Sequence, residues 1–326
     1  MIILLNHGNR RYLCNQLFPL ANIMVLGLET RQRVMFPSFI PYAGSFVGSA
    51  SGASPSFSLE RKGGGPAASQ ALRQNIWRLA WLMARLGKMC GVVRFRPWEI
   101  DRYLNLSAPE TRNAVKAGAR QVLRGFYCIH DEALTAYGDR VREYFKLVPP
   151  LAAEVDACTT QARLGADVLI GVHLRMGDYR DFLGGALFYE GTEYRKVMES
   201  AASLFSGSKV RFMICSNESQ PPELFHGLDV CRGPGGAVTD LYALAGCDYV
   251  IGAPSTYSAW ASFYGRTPRF VLPERTVEER QAGVVPAPRL SDFKVHEWGY
   301  GAYESPSTTA ELRLQPFAPA STDTLS

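Results

Sequence analysis

The run Val168-Leu-Ile-Gly-Val172 constrains this chain more than any other stretch, because its apolarity is nearly continuous rather than alternating. A strand of that composition is covered on both faces, which is the situation of a parallel sheet packed between helices. The sequence downstream keeps the same rhythm. It predicts a strand at Val168–Leu174, a helix at Thr192–Phe205, a strand at Lys209–Cys215, a helix at Val238–Leu244, a strand at Tyr249–Ile251, a helix at Ser255–Phe263 and a strand at Arg269–Val271. Alternating strands and helices imply right-handed crossovers and a parallel sheet. In open sheets of this kind ligands bind outside the carboxyl ends of the strands. The first strand runs at that end into His173-Leu-Arg-Met-Gly-Asp-Tyr179, so His173, Arg175 and Asp178 are candidate site residues. A forked, permanently charged guanidinium there suits a phosphate better than a lysine would.

The first half repeats the theme less regularly. Ile2 to Leu5 reads as a strand, Asn6-His-Gly-Asn-Arg10 as a turn, Gln16 to Leu28 as a helix and Arg33 to Phe36 as a second strand. The segment 44–69 is rich in Gly, Ser and Pro and reads as a surface loop. Leu72 to Met89 reads as a helix with Ile76, Leu79, Ala80, Met83 and Leu86 on one face and Arg73, Arg78, Arg85 and Lys88 elsewhere. That pattern fits a helix packed within the first domain, the commoner case, or one lying on an anionic membrane surface. Thr111–Leu123 and Asp131–Phe145 also read as helices, with Val148-Pro-Pro-Leu151 breaking the second and marking a domain junction. At 326 residues the chain is too long for one ordinary core. The expected layout is a domain over 1–150, a second over 151–300, and a Ser, Thr, Pro and Ala-rich tail over 301–326 that is expected to be disordered.

Composition excludes several classes. With 47% hydrophobic and 20% charged residues this is an ordinary soluble chain, and no apolar run is long enough to span a bilayer. A net charge of +5 permits an acidic partner, but there is no basic run interleaved with aromatics, so nucleic acid is not an expected partner. The seven cysteines are scattered with no Cys-x-x-Cys pair, which fits reduced thiols and a cytoplasmic location. Ile2-Ile-Leu-Leu5 is too short for a secretion signal.

A second cluster of chemistry lies where the strand Tyr249-Val-Ile251 runs through Gly252-Ala-Pro254 into Ser255, Thr256, Tyr257 and Ser258. Free backbone N–H groups, the positive end of a helix dipole and several hydroxyls meet there, which makes an anion site. Plain N-capping by Ser255 or Thr256 accounts for the same residues. A third cluster is Gly8-Asn-Arg-Arg-Tyr-Leu-Cys-Asn-Gln-Leu-Phe18, between a first strand and a first helix, where a Gly and polar amides let the backbone approach a ligand or simply make a turn.

These three segments, in this order, resemble the motifs of the fucosyltransferases. His173-Leu-Arg-Met-Gly-Asp-Tyr179 is similar to the His-x-Arg-Arg-Gly-Asp-Tyr motif of α-1,2-fucosyltransferases and to the His-Leu-Arg segments of protein O-fucosyltransferases and α-1,6-fucosyltransferases. Asp240 to Trp260 resembles their later Asp-Leu, strand and Ser/Thr helix-start motif, and Gly8 to Phe18 their N-terminal Gly-Asn-Gln-x-Phe loop. Met176 stands where the α-1,2 motif has its second Arg, and Cys14 where the loop has Gly. The resemblance implies a GT-B-like α/β fold, two Rossmann-like domains facing a cleft, with the acceptor on the first (1–150) and GDP-fucose held mainly by the second (151–300), and an inverting, metal-independent transfer of L-fucose from GDP-fucose to a glycan hydroxyl. The partners it implies are a nucleotide-sugar donor and a glycan acceptor. No cofactor is implied. The chain itself holds no Asp-x-Asp and no His-Glu-x-x-His.

Position by position, the resemblance implies that Arg175 grips the diphosphate and stabilises departing GDP, and that His173 hydrogen-bonds phosphate or fucose. Asp240 accepts from guanine or ribose, Ser255, Thr256 and Tyr257 donate to phosphate, and Asn15 and Gln16 meet the donor. Asp178, Asp181 and Glu190 are the carboxylates near enough in sequence to serve as a base, and no spacing selects among them. Two rival readings stay open: the same fold using another deoxysugar nucleotide such as GDP- or UDP-rhamnose, and a non-catalytic glycan-binding protein.

Overall fold

The computed structural model describes residues 2–5, 12–32, 34–36, 39–50, 79, 82, 86, 93–97, 104–106, 109–116, 120–124, 128–129 and 133–296. They fall into two compact units, one before Pro149 and one from Pro149 onward. The tail 301–326, most of the loop 44–69 and most of the 72–89 segment lie outside the described residues.

In the first unit, strands β1 (Ile2–Leu5), β2 (Val34–Met35), β3 (Val93–Pro97) and β5 (Arg120–Arg124) form a parallel sheet in the order β2-β1-β5-β3. Two short strands, β4 (Leu104–Asn105) and β6 (Cys128–Ile129), pair separately. Helix α1 (Leu13–Thr30) is buried along nearly its whole length, so it forms the middle of this unit's core rather than its surface. It ends in a left-handed cap at Arg31, whose backbone N–H reaches the Gly27 and Leu28 carbonyls. The region read as a helix over Thr111–Leu123 is in fact helix α2 (Pro109–Lys116) followed by strand β5. Val122 and Leu123 pair with Ile3 and Leu4 of β1, so sheet contacts override the local helical pattern. The start of the 44–69 segment is not all loop, since Val47–Ala50 forms a helical turn. Of the 72–89 helix, Leu79, Leu82 and Leu86 are described; they are helical and about half exposed. Burial of Leu79 and Leu86, which packing inside the domain requires, is therefore not observed.

Helix α3 (Ala133–Tyr144) ends before Val148, as the prolines predict, but Pro149 and Pro150 also open helix α4 (Pro149–Arg163). Proline is tolerated in a helix's first turn, where its missing N–H has no partner to lose, so the pair is a start signal as well as a break.

The second unit is a five-stranded parallel sheet, β7 (Val168–Leu174), β8 (Val210–Ser216), β9 (Val230–Arg232), β10 (Tyr249–Gly252) and β11 (Arg269–Val271), in the order β11-β10-β7-β8-β9. Helix α5 (Gly191–Ser203) covers one face, where Val197, Met198 and Tyr194 pack on Ile170, Val172, Phe212 and Ile214. Helices α6 (Ala237–Ala245) and α7 (Thr256–Gly265), with α4, belong to the other, where Leu241, Leu244 and Trp260 are buried. Strand β7 is thus covered on both faces, which is the physical reason its apolarity does not alternate. At the sheet's amino end Asp248 accepts from both Nη atoms of Arg163 (3.0 and 2.9 Å) and from the Leu169 N–H (2.8 Å), joining α4 to the starts of β7 and β10.

Each unit is α/β with a parallel sheet, the Rossmann-like pattern expected of a GT-B protein. Cys14, Cys158, Cys215, Cys231 and Cys247 are free thiols. Among the described residues no helix is long and apolar enough to cross a membrane, and no group of His, Cys, Asp or Glu side chains is arranged to hold a metal ion.

Candidate functional site

From β7 the chain steps outward through β8 to β9, then returns past β7 to β10 and continues to β11. The order reverses between β7 and β10, and the crevice at such a reversal is where open α/β sheets bind ligands. Gly252 is in register with His173, so the two strands end side by side. The segment carrying Arg175 and the segment carrying Ser255 leave the sheet as neighbours, which brings together the first two clusters read from the sequence.

On the β7 side, Gly177 (φ +58°) turns the chain sharply in the left-handed region that favours glycine, and a Cβ there would lie 3.0 Å from Asn217 Nδ2. The turn aims Arg175 Nη2 at the Asp178 carboxylate, 2.8 Å away, and lays the guanidinium over the Tyr179 ring at 5.1 Å. Neighbouring elements hold the turn. Asn217, just past β8, accepts from the Met176 N–H at 2.8 Å, and Glu218 receives both Nη atoms of Arg180 at 3.0 Å. The Tyr194 hydroxyl from α5 accepts from the Arg175 N–H at 3.4 Å and also meets the backbone of Ala253.

On the β10 side, Ser255 is the N-cap of α7 and accepts from the Tyr257 N–H at 3.2 Å. Ser255, Thr256 and Ser258 are all buried. The Tyr179 hydroxyl donates to the Pro254 carbonyl at 2.8 Å, and burial pushes its proton up to about 12, so it stays a donor and stitches the two sides together. The α7 N-terminus and the Arg175 turn thus leave neighbouring strand ends, with Tyr179 linking them.

His173 and Tyr257 pack on one another. The His173 ring lies against Tyr257, with centroids 4.7 Å apart, and is only 5% exposed. Burial, together with the Arg175 and Arg269 cations, pushes it down to about 3, so it is neutral. Its Nδ1 has no hydrogen-bond partner among the described residues. The Tyr257 hydroxyl donates to the Ala237 carbonyl at 2.8 Å, which ties α7 to α6.

Asp240 sits in the first turn of α6, where its Oδ1 accepts from the Gly235 N–H at 2.6 Å and clips the Gly233–Gly236 loop in place. Its burial raises the carboxyl proton affinity. Glu190 is engaged in the capping box that opens α5, whereas Asp178 and Asp181 are exposed. Asn15 and Gln16 belong to the first unit and lie inside α1, which begins at Leu13 rather than at Gln16. Gly8 to Arg11 of that motif lies outside the described residues. The residues that sequence reasoning missed are Tyr179, Tyr194 and Asn217. Asn217 was within reach of the same logic, since it follows the carboxyl end of β8.

No family model matches the sequence, and no curated protein matches it. The structure has the fold of solved fucosyltransferases. A mutant of Arabidopsis thaliana FUT1 in complex with GDP matches with a TM-score of 0.57 at 12% identity, over 85% of this chain and 71% of that one. Also similar are the NodZ alpha-1,6-fucosyltransferase of Bradyrhizobium soaked with GDP-fucose (TM-score 0.49, 16% identity, 85% and 95% covered) and POFUT1 in complex with GDP-fucose (TM-score 0.47, 11% identity, 84% and 97% covered).

Proposed function

We propose that this protein is an inverting, metal-independent glycosyltransferase that moves L-fucose from GDP-fucose to a glycan hydroxyl. The observation that supports the reading is that the strand ends leading to Arg175 and to the α7 N-terminus lie side by side at the β7/β10 reversal. In the reaction the acceptor oxygen attacks C1 from the face opposite GDP, the C1–O bond to the β-phosphate breaks through an oxocarbenium-like state, and the released electron pair stays on the diphosphate. Arg175 and the N–H groups of Thr256 and its neighbours neutralise that growing charge. The Arg175–Asp178 pair is partly exposed, so exchanging Asp178 for a diphosphate costs little. His173 stays neutral and offers Nδ1 to the donor, and Asp240 and the Gly233–Gly236 loop receive the nucleoside. A well-stabilised leaving group lowers the demand on the base, a role open to Asp178 or Asp181.

Titration calorimetry with GDP, UDP and dTDP tests the donor, with GDP expected to bind far more tightly than the others. Arg175→Ala is expected to abolish transfer and leave the thermal unfolding of the protein unchanged. Equal affinity for the three nucleotides would sink the donor assignment, product analysis with rhamnose donors reads the first rival, and glycan binding without GDP binding reads the second.

Leu79, Leu82 and Leu86 present a half-exposed apolar row within a stretch that carries Arg73, Arg78, Arg85 and Lys88 and no acidic residue between them. This supports peripheral contact with an anionic membrane surface. Co-flotation with phosphatidylglycerol-containing vesicles, lost with neutral vesicles, is the expected result.

A further inference from the structure

The ladder between β7 and β8 ends at the pair Leu174 and Ser216. Past that pair come three consecutive backbone N–H groups, those of Arg175, Met176 and Gly177, at a turn that is buried or half-buried throughout. An N–H in such a place is costly unless something accepts from it. All three are met by side chains. The Arg175 N–H donates to the Tyr194 hydroxyl at 3.4 Å, the Met176 N–H to Asn217 Oδ1 at 2.8 Å, and the Gly177 N–H to the Glu218 carboxylate. Of the two measured bonds, the one to Asn217 has the distance of a strong hydrogen bond.

These contacts decide how Arg175 leaves the sheet. Met176 is 3% exposed and belongs to the core that α5 covers, so the residue next to Arg175 is anchored by its side chain and by its N–H. Gly177 then reverses the chain, and Asp178 returns to within 2.8 Å of Arg175 Nη2. Both Asn217 and Glu218 follow directly on the carboxyl end of β8. Glu218 has a task of its own, because it also receives both Nη atoms of Arg180 at 3.0 Å. Asn217 is exposed and polar, so core packing is no reason for its presence. What its oxygen does is hold the backbone one residue beyond Arg175.

We propose that Asn217 is a positioning residue, which through the Met176 N–H fixes the turn from which Arg175 meets the diphosphate. The proposal rests on the transferase reading above for the identity of that diphosphate. Aim matters at such a group, since a misplacement of about 1 Å can cost roughly a hundredfold.

Asn217→Leu keeps the approximate shape of the side chain and removes the acceptor, whereas Asn217→Asp keeps the acceptor. Calorimetry on the full-length protein reads two probes. Inorganic pyrophosphate reports the grip on the diphosphate alone, and GDP reports the whole nucleotide site. Asn217→Leu is expected to weaken both by the same factor, roughly tenfold. Asn217→Asp is expected to match the wild type when both are measured at raised ionic strength, where the added charge is screened. All three proteins should melt within a few degrees of one another, because a single hydrogen bond of an exposed side chain is exchanged.

A lower melting temperature with unchanged pyrophosphate affinity in Asn217→Leu would reduce Asn217 to a structural contact and overturn the proposal. An Asn217→Asp variant no better than Asn217→Leu overturns it too, as does a wild type that binds no pyrophosphate. If pyrophosphate follows the expected pattern while GDP, UDP and dTDP bind alike, the positioning role stands and the donor assignment alone falls.

Discussion

Two arginine–carboxylate pairs stand on either side of the same loop, and they are built in opposite ways. Arg175 and Asp178 are three residues apart on one turn, with the carboxylate about half exposed, and the guanidinium rests on the Tyr179 ring. Arg275 and Glu193 come from distant parts of the chain and are nearly sealed from water, with Arg275 only 5% exposed. Arg275 also donates to the carbonyls of Phe188 (2.6 Å) and Val284 (3.0 Å) and lies 3.8 Å over the Tyr189 ring. A half-exposed pair is cheap to separate, whereas a buried pair loses its solvation once and holds only while both partners remain. The first can trade its carboxylate for a ligand, and the second fixes the floor on which that exchange occurs.

The comparison breaks most readily at the buried pair. Arg275→Met leaves Glu193 charged and enclosed and is expected to cost about 3–5 kcal/mol in urea unfolding, with the Arg275→Met/Glu193→Leu double variant regaining most of it. If Arg175→Met costs as much, the distinction between the pairs is lost.

His173 gives the next largest effect. Its folded-state titration near 3 lies below its ordinary 6.5. The unfolded chain therefore takes up the proton first as pH falls, and the stability this residue contributes is whole above about 6.5 and is lost between there and about 3. The melting temperatures of the wild type and His173→Gln should accordingly converge from pH 7 to pH 4.5. A constant gap over that range would refute the buried, neutral assignment.

The smallest effect belongs to the exposed carboxylate. Asp178→Asn should shift stability by no more than about 1 kcal/mol and tighten GDP by about threefold at low salt, because the diphosphate no longer displaces a charge. Weaker GDP binding in this variant would mean that Asp178 orients Arg175 rather than competing for it.

The second unit was the more legible half because its signals are contiguous. Strand β7 and strand β11 were read to the residue, since each is an uninterrupted run bounded by polar or turn residues. Strand β9 escaped, being three residues long and mostly exposed at the sheet's edge. Strand β5 was absorbed into a helix because its Gln121-Val-Leu123 core looks the same to both periods until β1 and β3 pair with it. The site divides the same way. Arg175 and Ser255 were found because each ends a strand, but Tyr194 acts from a helix across the core, and Arg275 meets Glu193 over 82 positions of sequence. Partnerships of that kind are created by folding and leave no local spacing to read. For Tyr257 the sequence shows that a hydroxyl is present but not that it reaches the Ala237 carbonyl.

The Asp248 junction at the opposite end of the sheet bears on this site from a distance. Arg175 and Ser255 stand on strands that are not consecutive in the chain, and no covalent link sets one against the other. Their shared origin is Asp248, which receives Arg163 and the Leu169 N–H where β7 and β10 begin. From Leu169 to Arg175 is about 20 Å of extended chain. Whatever shifts one strand's start relative to the other's is carried along that length as a change of aim between guanidinium and helix end. The grip on an anion is calibrated, in effect, from the far edge of the domain, at a surface where no ligand need ever arrive.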